Sequence, residues 1–326
     1  MNDMCKFLNN DGISCYIISI LYILQNIKQF NEFIVNNTFS DELLLNELNK
    51  LFKYCNQNKN INISPVSLKK KIANINPIWG ELEHQDSQEF LSFLISTLDD
   101  ELLKIIKNKQ YINKSKILGI NYFQNEYLNK LTPIKGLFFG ILISSIKCNL
   151  CNSLSHTFEL FITVPLSIKI TETTTITDQF CLNDCISNFV SDEQLDSDNM
   201  ITCDICHTRN QSIKKIMFWK TPQILIFQLI RFWNGIKIIN QIIYPEFLNM
   251  SSYFHPDSPF KNKCMYKLIG INLHQEFGRG NINAGHYLSI VELNNKWYVF
   301  NDSDNLIELN DIQNKDAYLL FYINQT

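Results

Sequence analysis

The hydrophobic pattern of the first hundred residues predicts helices. Residues 15 to 28 are apolar on nearly every side, which indicates a central, buried helix. Ser14 stands where a residue that caps this helix would be. Helical spacing returns in residues 40 to 56, behind a Ser-Asp start. The first third of the chain is therefore expected to be helical.

The clearest amphipathic helix is predicted over residues 86 to 106. Its apolar side chains recur every four residues, at Phe90, Leu94, Leu98 and Leu102. Asp86 and Glu89 form a capping-box pattern at its start, in which a short polar side chain accepts from the first free N–H groups.

The pattern changes to that of strands from about residue 118. Short runs rich in β-branched and aromatic residues follow one another, such as "LFFGILISSIKC", "TFELFITVPLSI", "KIMFWKTPQILIFQLIRFW" and "KWYVFND". Residues 171 to 212 are more polar and contain a predicted short helix near 178 to 190. Helices first and strands later, without regular alternation, predict an α+β fold.

The amino-acid composition limits the classes of protein to which this sequence can belong. The 326 residues are 45% hydrophobic and 19% charged, with a net charge of −3, which is typical of a globular protein and gives no indication of a nucleic-acid partner. No apolar run is long enough to span a bilayer, and the N-terminus does not read as a signal peptide. We therefore expect a soluble protein without a membrane partner, in the reducing cytoplasm or nucleus.

Four of the ten cysteines form two Cys-x-x-Cys pairs, Cys148 with Cys151 and Cys203 with Cys206. Thiolates at this spacing are the usual half-sites of a tetrahedral zinc, and four sulfur ligands leave no open position for water. The alternative is two unrelated pairs of reduced cysteines. Because both pairs flank one β-rich segment, the sequence favours a single structural zinc and no catalytic cofactor. His207 beside the second pair could substitute for a ligand.

The stretch "NAGHYLSIVELNNKWYVFND" predicts a β-hairpin with its turn at Asn294 and Asn295. A lone histidine in a strand is usually only packed or exposed. A cysteine nucleophile, however, needs a nearby base, and the base needs a third group on its other ring nitrogen. This hairpin offers both in His286 and Asn301, and "NNDGISCYIISILYIL" offers Cys15 at a predicted helix start.

Taken together, these stretches resemble the ubiquitin-specific protease family of papain-like cysteine deubiquitinases. The family's cysteine box, L-x-N-x-G-N-T-C-Y-M-N-S-x-L-Q, is similar to "LNNDGISCYIISIL", and its Q-Q-D-A-x-E-F box to "HQDSQEFLSFLISTL". Its strand ending in L-K-R-F is similar to "ILIFQLIRF". Its histidine box and the surrounding strands are similar to "YKLIGINLH", "GHY", "KWYVFND" and "AYLLFY". The likeness runs from about residue 7 to 322.

The resemblance implies one catalytic domain shaped like an open right hand. The helical thumb would cover about residues 1–118, and the zinc-bearing fingers about 143–225. The β-sheet palm would cover about 119–142 and 226–326. Ubiquitin and ubiquitinated proteins are the implied partners, and a monomer is expected.

The resemblance also assigns catalytic roles. Cys15 would be the nucleophile, with a thiol pKa lowered by the helix N-terminus and a nearby imidazolium. His286 would be the general base and Asn301 the orienting residue, with Asp302 as a supporting charge. Strand alternation puts Asn301 and Asp302 on opposite faces, so Asn301 is preferred. Asn10 would join the Cys15 backbone N–H in holding the oxyanion.

Substrate contacts are carried over from the same motifs. Asp86 and Glu89 lie where the family meets the extended ubiquitin tail, whose arginines suit carboxylates. They could instead only cap a helix. Arg231, Phe232 and Tyr287 occupy similar contact positions. Residues 274 to 286 resemble the glycine-bearing loop that must admit a Gly-Gly tail, and its glycines favour mobility.

The sequence departs from the cysteine box at several positions. Ile13 and Ser14 replace the Asn and Thr before the cysteine, while Ile18 and Tyr22 replace the Asn and Gln after it. None of these is a triad or oxyanion position, so they bear on substrate preference and rate more than on the chemistry. Two alternatives to a deubiquitinase are considered beside it. One is a ubiquitin-binding module without activity, and the other is a protease for a different ubiquitin-like modifier.

Overall fold

The structure is a computed structural model. It describes residues 5–8, 12–58, 61–81, 83–106, 118–170, 174–175, 177–233, 236–262, 264–276, 285–302, 304 and 306–326. Helices dominate the first third and strands the remainder, as the pattern predicted.

Eight α-helices lie within these residues: α1 (Cys15–Asn26), α2 (Lys28–Asn36), α3 (Leu44–Gln57), α4 (Val66–Ile75), α5 (Ser87–Ile105), α6 (Ile120–Tyr122), α7 (Pro133–Phe138) and α8 (Leu182–Phe189). Short 3₁₀ turns cover Pro77–Gly80, Leu128–Lys130, Ser197–Asn199 and Ser251–Tyr253, and a π-turn covers Phe123–Tyr127. None of the described helices combines enough length and apolar character to cross a membrane.

Helix α1 is buried along almost its whole length, as the all-round apolar pattern predicted. It ends earlier than expected because Ile27 is extended, and α2 begins at the next residue. Ser14 is the N-cap residue of α1, as its position indicated, but its side chain makes no capping hydrogen bond. Its hydroxyl instead accepts a hydrogen bond from Lys69 Nζ at 3.0 Å.

Helix α5 confirms the clearest helix prediction. Asp86 is its N-cap, and one carboxylate oxygen accepts from the N–H groups of Gln88 at 2.7 Å and Glu89 at 3.1 Å. The predicted apolar stripe is buried. The stripe packs in the same core as α1, so α5 supports the helix that begins at Cys15.

The described strands are β1 (Lys6–Phe7), β2 (Asn62–Ile63), β3 (Gly140–Cys148), β4 (Leu154–Phe161), β5 (Thr163–Ser167), β6 (Phe180–Cys181), β7 (Asp192–Leu195), β8 (Ile201–Thr202), β9 (Arg209–Asn210), β10 (Ser212–Lys220), β11 (Ile224–Ile230), β12 (Phe232–Trp233), β13 (Ile236–Lys237), β14 (Ile242–Ile243), β15 (Phe247–Asn249), β16 (Met265–Glu276), β17 (Gly285–Leu293), β18 (Lys296–Phe300), β19 (Ile307–Leu309) and β20 (Ala317–Asn324).

Two sheets organise the strands. The larger has the order β19-β18-β17-β16-β20-β11-β5, with β15 added to β16, and its pairs are antiparallel except β11 with β5. The smaller has the order β4-β3-β10-β7. Strand β3 ends at the first cysteine pair, and β10 begins shortly after the second. Because these two strands are paired, the smaller sheet ends at the predicted metal site.

The larger sheet separates two cores. Alternate residues of its central strand β20 face opposite sides, with Leu319 and Phe321 against the helices and Leu320 and Tyr322 in the second core. Helix α1 lies across β16 and β17 on the helical side. The sheet therefore presents β17, with His286, directly to the helix that begins at Cys15.

Candidate active site

Cys15 is the first residue of α1 and is only 1% exposed. Burial raises the pKa of its thiol above the ordinary value. A hydrogen bond from the Tyr287 backbone opposes this, while the nearby Asp302 charge adds to it. The helix N-terminus alone therefore does not lower the pKa as the sequence led us to expect.

His286 is carried by the predicted hairpin, whose two strands are β17 and β18. Asn294 and Asn295 form its turn with φ values of 52° and 62°, the left-handed pair that a tight hairpin turn requires. Asparagine tolerates this conformation better than most residues. The turn sets the register that brings the end of β18 beside His286.

The ring of His286 contacts Asn301 through Nε2, which lies 2.6 Å from Asn301 Oδ1. Asn301 Nδ2 donates to Asp304 Oδ2 at 2.6 Å, and this bond turns the amide oxygen toward the histidine. Nε2 is therefore the ring nitrogen of His286 that contacts Asn301.

Asp302 also approaches the histidine, with Oδ2 4.0 Å from Nε2 of His286. Side chains alternate along a strand, so an extended chain would direct Asp302 away from His286. However, β18 ends at Phe300, and Asp302 has φ of +44°. This bend allows both residues to approach one ring. Asn301 is the closer, and Asp302 is placed to act through its charge. Asn10, the predicted oxyanion donor, lies outside the described residues.

The two predicted substrate carboxylates have different surroundings. Asp86 uses one oxygen for the α5 cap and the other to accept from Tyr318 Oη at 2.6 Å, so its carboxylate already has structural partners. Glu89, in the first turn of α5, is exposed and is the carboxylate more available to a substrate.

Arg231 does not fit the role of a substrate contact. It is 1% exposed, and its guanidinium donates to the carbonyls of Ala317 at 2.5 Å, Ile238 at 3.1 Å and Asn240 at 2.9 Å. These bonds join three chain segments beneath the surface. The sequence prediction is therefore corrected: Arg231 holds the framework, and Phe232 beside it is the partly exposed neighbour.

Rings cluster beside the cysteine. Tyr287 packs on His274 with centroids 4.7 Å apart, and Phe232 lies 5.9 Å from the same histidine. Burial and the Lys237 charge lower the pKa of His274 to about 4, so this ring is neutral near pH 7. A Cβ at position 285 would lie 2.0 Å from His274 Nε2, so Gly285 is required for the close approach of the strand to this ring.

A buried polar network that sequence reasoning missed lies behind the site. Asn272 is 0% exposed, accepts from Ser87 Oγ at 2.8 Å and donates to Ser19 Oγ at 2.9 Å. It thus links the strand next to His286 with α5 and α1. The sequence feature that could have indicated this network is the single amide of Asn272 within the apolar run "LIGINL", because a buried polar group needs hydrogen-bond partners.

The four predicted metal ligands lie together. The Sγ atoms of Cys148, Cys151, Cys203 and Cys206 are all within 4.8 Å of one another. The Sγ separations are 3.9 Å between Cys148 and Cys206 and 3.7 Å between Cys151 and Cys203. Zn–S bonds of about 2.3 Å in a tetrahedron place sulfurs about 3.8 Å apart, so the arrangement fits a metal ion of that kind.

The two pairs have the same backbone turn. Asn152 N donates to Cys148 O at 2.9 Å, and His207 N donates to Cys203 O at 2.8 Å. Both donors have positive φ, of 57° and 54°. His207 therefore closes the second turn, and it is not part of the described cysteine cluster.

The fold and site define a papain-like α+β protein, with a cysteine at a helix start, a histidine–asparagine pair on the facing sheet and a cluster of four cysteines at the end of a second sheet. The chain belongs to the ubiquitin carboxyl-terminal hydrolase family, whose model matches residues 7–322. The resemblance found in the sequence is thereby confirmed.

Curated relatives match across nearly all of this chain. Ubiquitin carboxyl-terminal hydrolase Usp2 of Drosophila melanogaster is 29% identical over 97% of the chain and 34% of its own length. Ubiquitin carboxyl-terminal hydrolase 2 of Bos taurus is 27% identical, over 97% of the chain and 54% of its own length. The chain thus spans about a third to a half of these relatives.

Solved structures agree on the fold. One of the yeast SAGA DUB module aligns with a TM-score of 0.74 at 25% identity, over 98% of this chain and 68% of that one. The SAGA Ubp8/Sgf11/Sus1/Sgf73 DUB module bound to ubiquitin aldehyde gives 0.73 at 25% identity, over 98% and 69%.

Proposed function

We propose that this chain is a ubiquitin C-terminal hydrolase, a thiol protease that cleaves the bond after the last glycine of ubiquitin. The observation that supports this most is the contact of 2.6 Å between His286 Nε2 and Asn301 Oδ1, on a hairpin packed against the helix that begins at Cys15. This arrangement leaves Nδ1 of the histidine for the thiol, as nucleophilic catalysis by cysteine requires.

The reaction proceeds in two stages. The Cys15 thiol gives its proton to His286, and the thiolate forms a bond to the carbonyl carbon of the terminal glycine. The C–N bond breaks, and the leaving lysine amine takes the proton from the imidazolium. Water, deprotonated by His286, then hydrolyses the thioester and restores the thiol. Asn301 keeps the ring oriented throughout but, being neutral, cannot offset its charge.

The substrate is proposed to lie as an extended tail between α5 and the rings beside Cys15. Glu89 is the exposed carboxylate for a tail arginine, and Asp86 adds negative charge behind it. Phe232, which is half-buried, and Tyr287 beside it would provide apolar contact for the tail. Gly285 offers no side chain there, which suits a Gly-Gly tail.

The metal is proposed to be one zinc ion held by Cys148, Cys151, Cys203 and Cys206. Its four sulfur ligands would leave no position for water, so it would stabilise the fold and take no part in bond cleavage. It would fix the end of the smaller sheet, where few apolar side chains are buried.

The proposed function is tested with a fluorogenic amide at the C-terminus of ubiquitin. Wild-type protein should release the fluorophore, and Cys15→Ala should not. Cys185→Ala removes another buried thiol, located in α8 away from the site, and should retain activity. A wild-type protein that hydrolyses the same amide of another ubiquitin-like modifier, and not that of ubiquitin, would overturn the choice of substrate.

A further inference from the structure

Tyr22 joins the segment at Phe7 to the segment at Asp302. It lies in α1 and is 1% exposed. Its hydroxyl donates to the backbone carbonyl of Asp302 at 2.6 Å and accepts from the backbone N–H of Phe7 at 2.6 Å. The family motif has glutamine at this position, so the contact depends on a departure in this chain.

The ring of Tyr22 is held between two others. Its centroid lies 4.8 Å from that of Phe7 and 4.4 Å from that of Phe300. Phe300 is the last residue of β18 and immediately precedes Asn301. The ring packing therefore holds Phe300, the residue just before the turn formed by Asn301 and Asp302. The hydroxyl bond holds the backbone of that turn at Asp302.

That turn needs support from its surroundings. Asp302 has φ of +44°, a left-handed conformation that costs a non-glycine residue energy unless neighbouring groups hold it. The bond from Tyr22 satisfies the Asp302 carbonyl in that conformation. The same turn delivers Asn301 to Nε2 of His286.

We propose that Tyr22 is a positioning residue that fixes the Asn301–Asp302 turn relative to Cys15, and so sets the orientation of His286. The proposal rests on the thiol-protease function proposed above. Tyr22 and Cys15 belong to one rigid helix, so the hydroxyl bond ties the third member of the catalytic group to the helix that carries the nucleophile. Tyr22 itself touches no reacting atom.

Tyr22→Phe tests the proposal because it removes only the hydroxyl. We expect kcat for the ubiquitin amide to fall about tenfold, because the orienting turn shifts, while KM changes less than about twofold. Tyr322→Phe is the matched control: Tyr322 is equally buried and donates to the Pro245 carbonyl at 2.7 Å, away from the site. It should leave kcat and KM within about twofold.

A second readout does not use ubiquitin. The rate at which iodoacetamide alkylates Cys15, measured against pH, reports thiolate formation. In Tyr22→Phe the inflection should move to higher pH, because a less well oriented His286 ring stabilises the Cys15 thiolate less well; in Tyr322→Phe it should stay in place. If wild-type protein fails to cleave ubiquitin, the proposed function fails, and the alkylation profiles still decide the role of Tyr22.

Phe300→Leu provides a second variant if Tyr22→Phe does not fold. It removes the ring partner of Tyr22 and keeps the hydroxyl bonds. The alkylation inflection is expected to move in the same direction, by a smaller amount. The proposal is overturned if a folded Tyr22→Phe behaves like Tyr322→Phe in both readouts, or if it does not fold and a folded Phe300→Leu keeps the wild-type profile.

Discussion

Replacing Asn272 by leucine should destabilise the protein, because this amide is the centre of the buried network that links three elements of the site. Leucine shares the branching of asparagine at Cγ, but it cannot accept from Ser87 Oγ, now at 2.8 Å, or donate to Ser19 Oγ, now at 2.9 Å. The Ser87 hydroxyl, 0% exposed, would lose its acceptor.

The size of the effect follows from these contacts. Two hydrogen bonds contribute about 1 kcal/mol each, and a buried donor left without a partner costs about 1–3 kcal/mol. The extra apolar surface of leucine offsets about 1 kcal/mol of this. We therefore expect the free energy of unfolding to fall by about 3 kcal/mol.

Urea unfolding followed by tryptophan fluorescence measures this difference. Asn199→Leu is the matched control, because Asn199 is exposed in a short turn, and it should change stability by less than about 0.5 kcal/mol. A double-mutant cycle with Ser87→Ala should give a coupling energy of about 1–2 kcal/mol. A loss below about 1 kcal/mol for Asn272→Leu, together with no coupling to Ser87, would refute the reasoning.

Three further predictions concern other parts of the molecule. Asp304→Ala should lower the rate of ubiquitin cleavage several-fold, because the Asn301 amide loses the bond that turns its oxygen toward His286; an unchanged rate would count against this orientation. Metal analysis should find about one zinc per wild-type chain and almost none after Cys203→Ser; equal zinc in both proteins would exclude the four-cysteine site. Burial lowers the pKa of Lys220 from 10.5 to about 8, so between those values the unfolded chain binds a proton that the folded chain does not, and stability rises with pH. Lys220→Met should flatten the rise in Tm between about pH 8 and 10.5, whereas parallel profiles would contradict it.

The sequence predicted the elements whose signals are local. The apolar stripe of α5 and the capping role of Asp86 depend on residues within a few positions of one another, and the structure contains both. The hairpin turn at Asn294 and Asn295 is predictable for the same reason. Helix α1 was predicted too long, because nothing in its apolar pattern indicates the extended backbone at Ile27.

Features that depend on distant contacts could not be predicted. The burial of Arg231 follows from carbonyls on segments that meet only in the fold, whereas its motif suggested a substrate contact. The approach of Asp302 to His286 depends on a bend just after β18, and the alternation of side chains along a strand does not predict that bend. In the sequence, Tyr22 is only a replacement for the glutamine of a known motif. Its bonds to Asp302 and Phe7 become visible in the folded structure.

The central claim is that Cys15 is the nucleophile of a ubiquitin hydrolase. Ubiquitin with an electrophile at its C-terminus tests this most directly, with peptide mass spectrometry to locate the adduct. Wild-type protein should form one covalent adduct at Cys15, Cys15→Ala should form none, and Cys264→Ala, which removes a buried thiol of the second core, should react like wild type. Wild-type protein that binds ubiquitin without forming the adduct, or that forms it at another cysteine, would contradict the account.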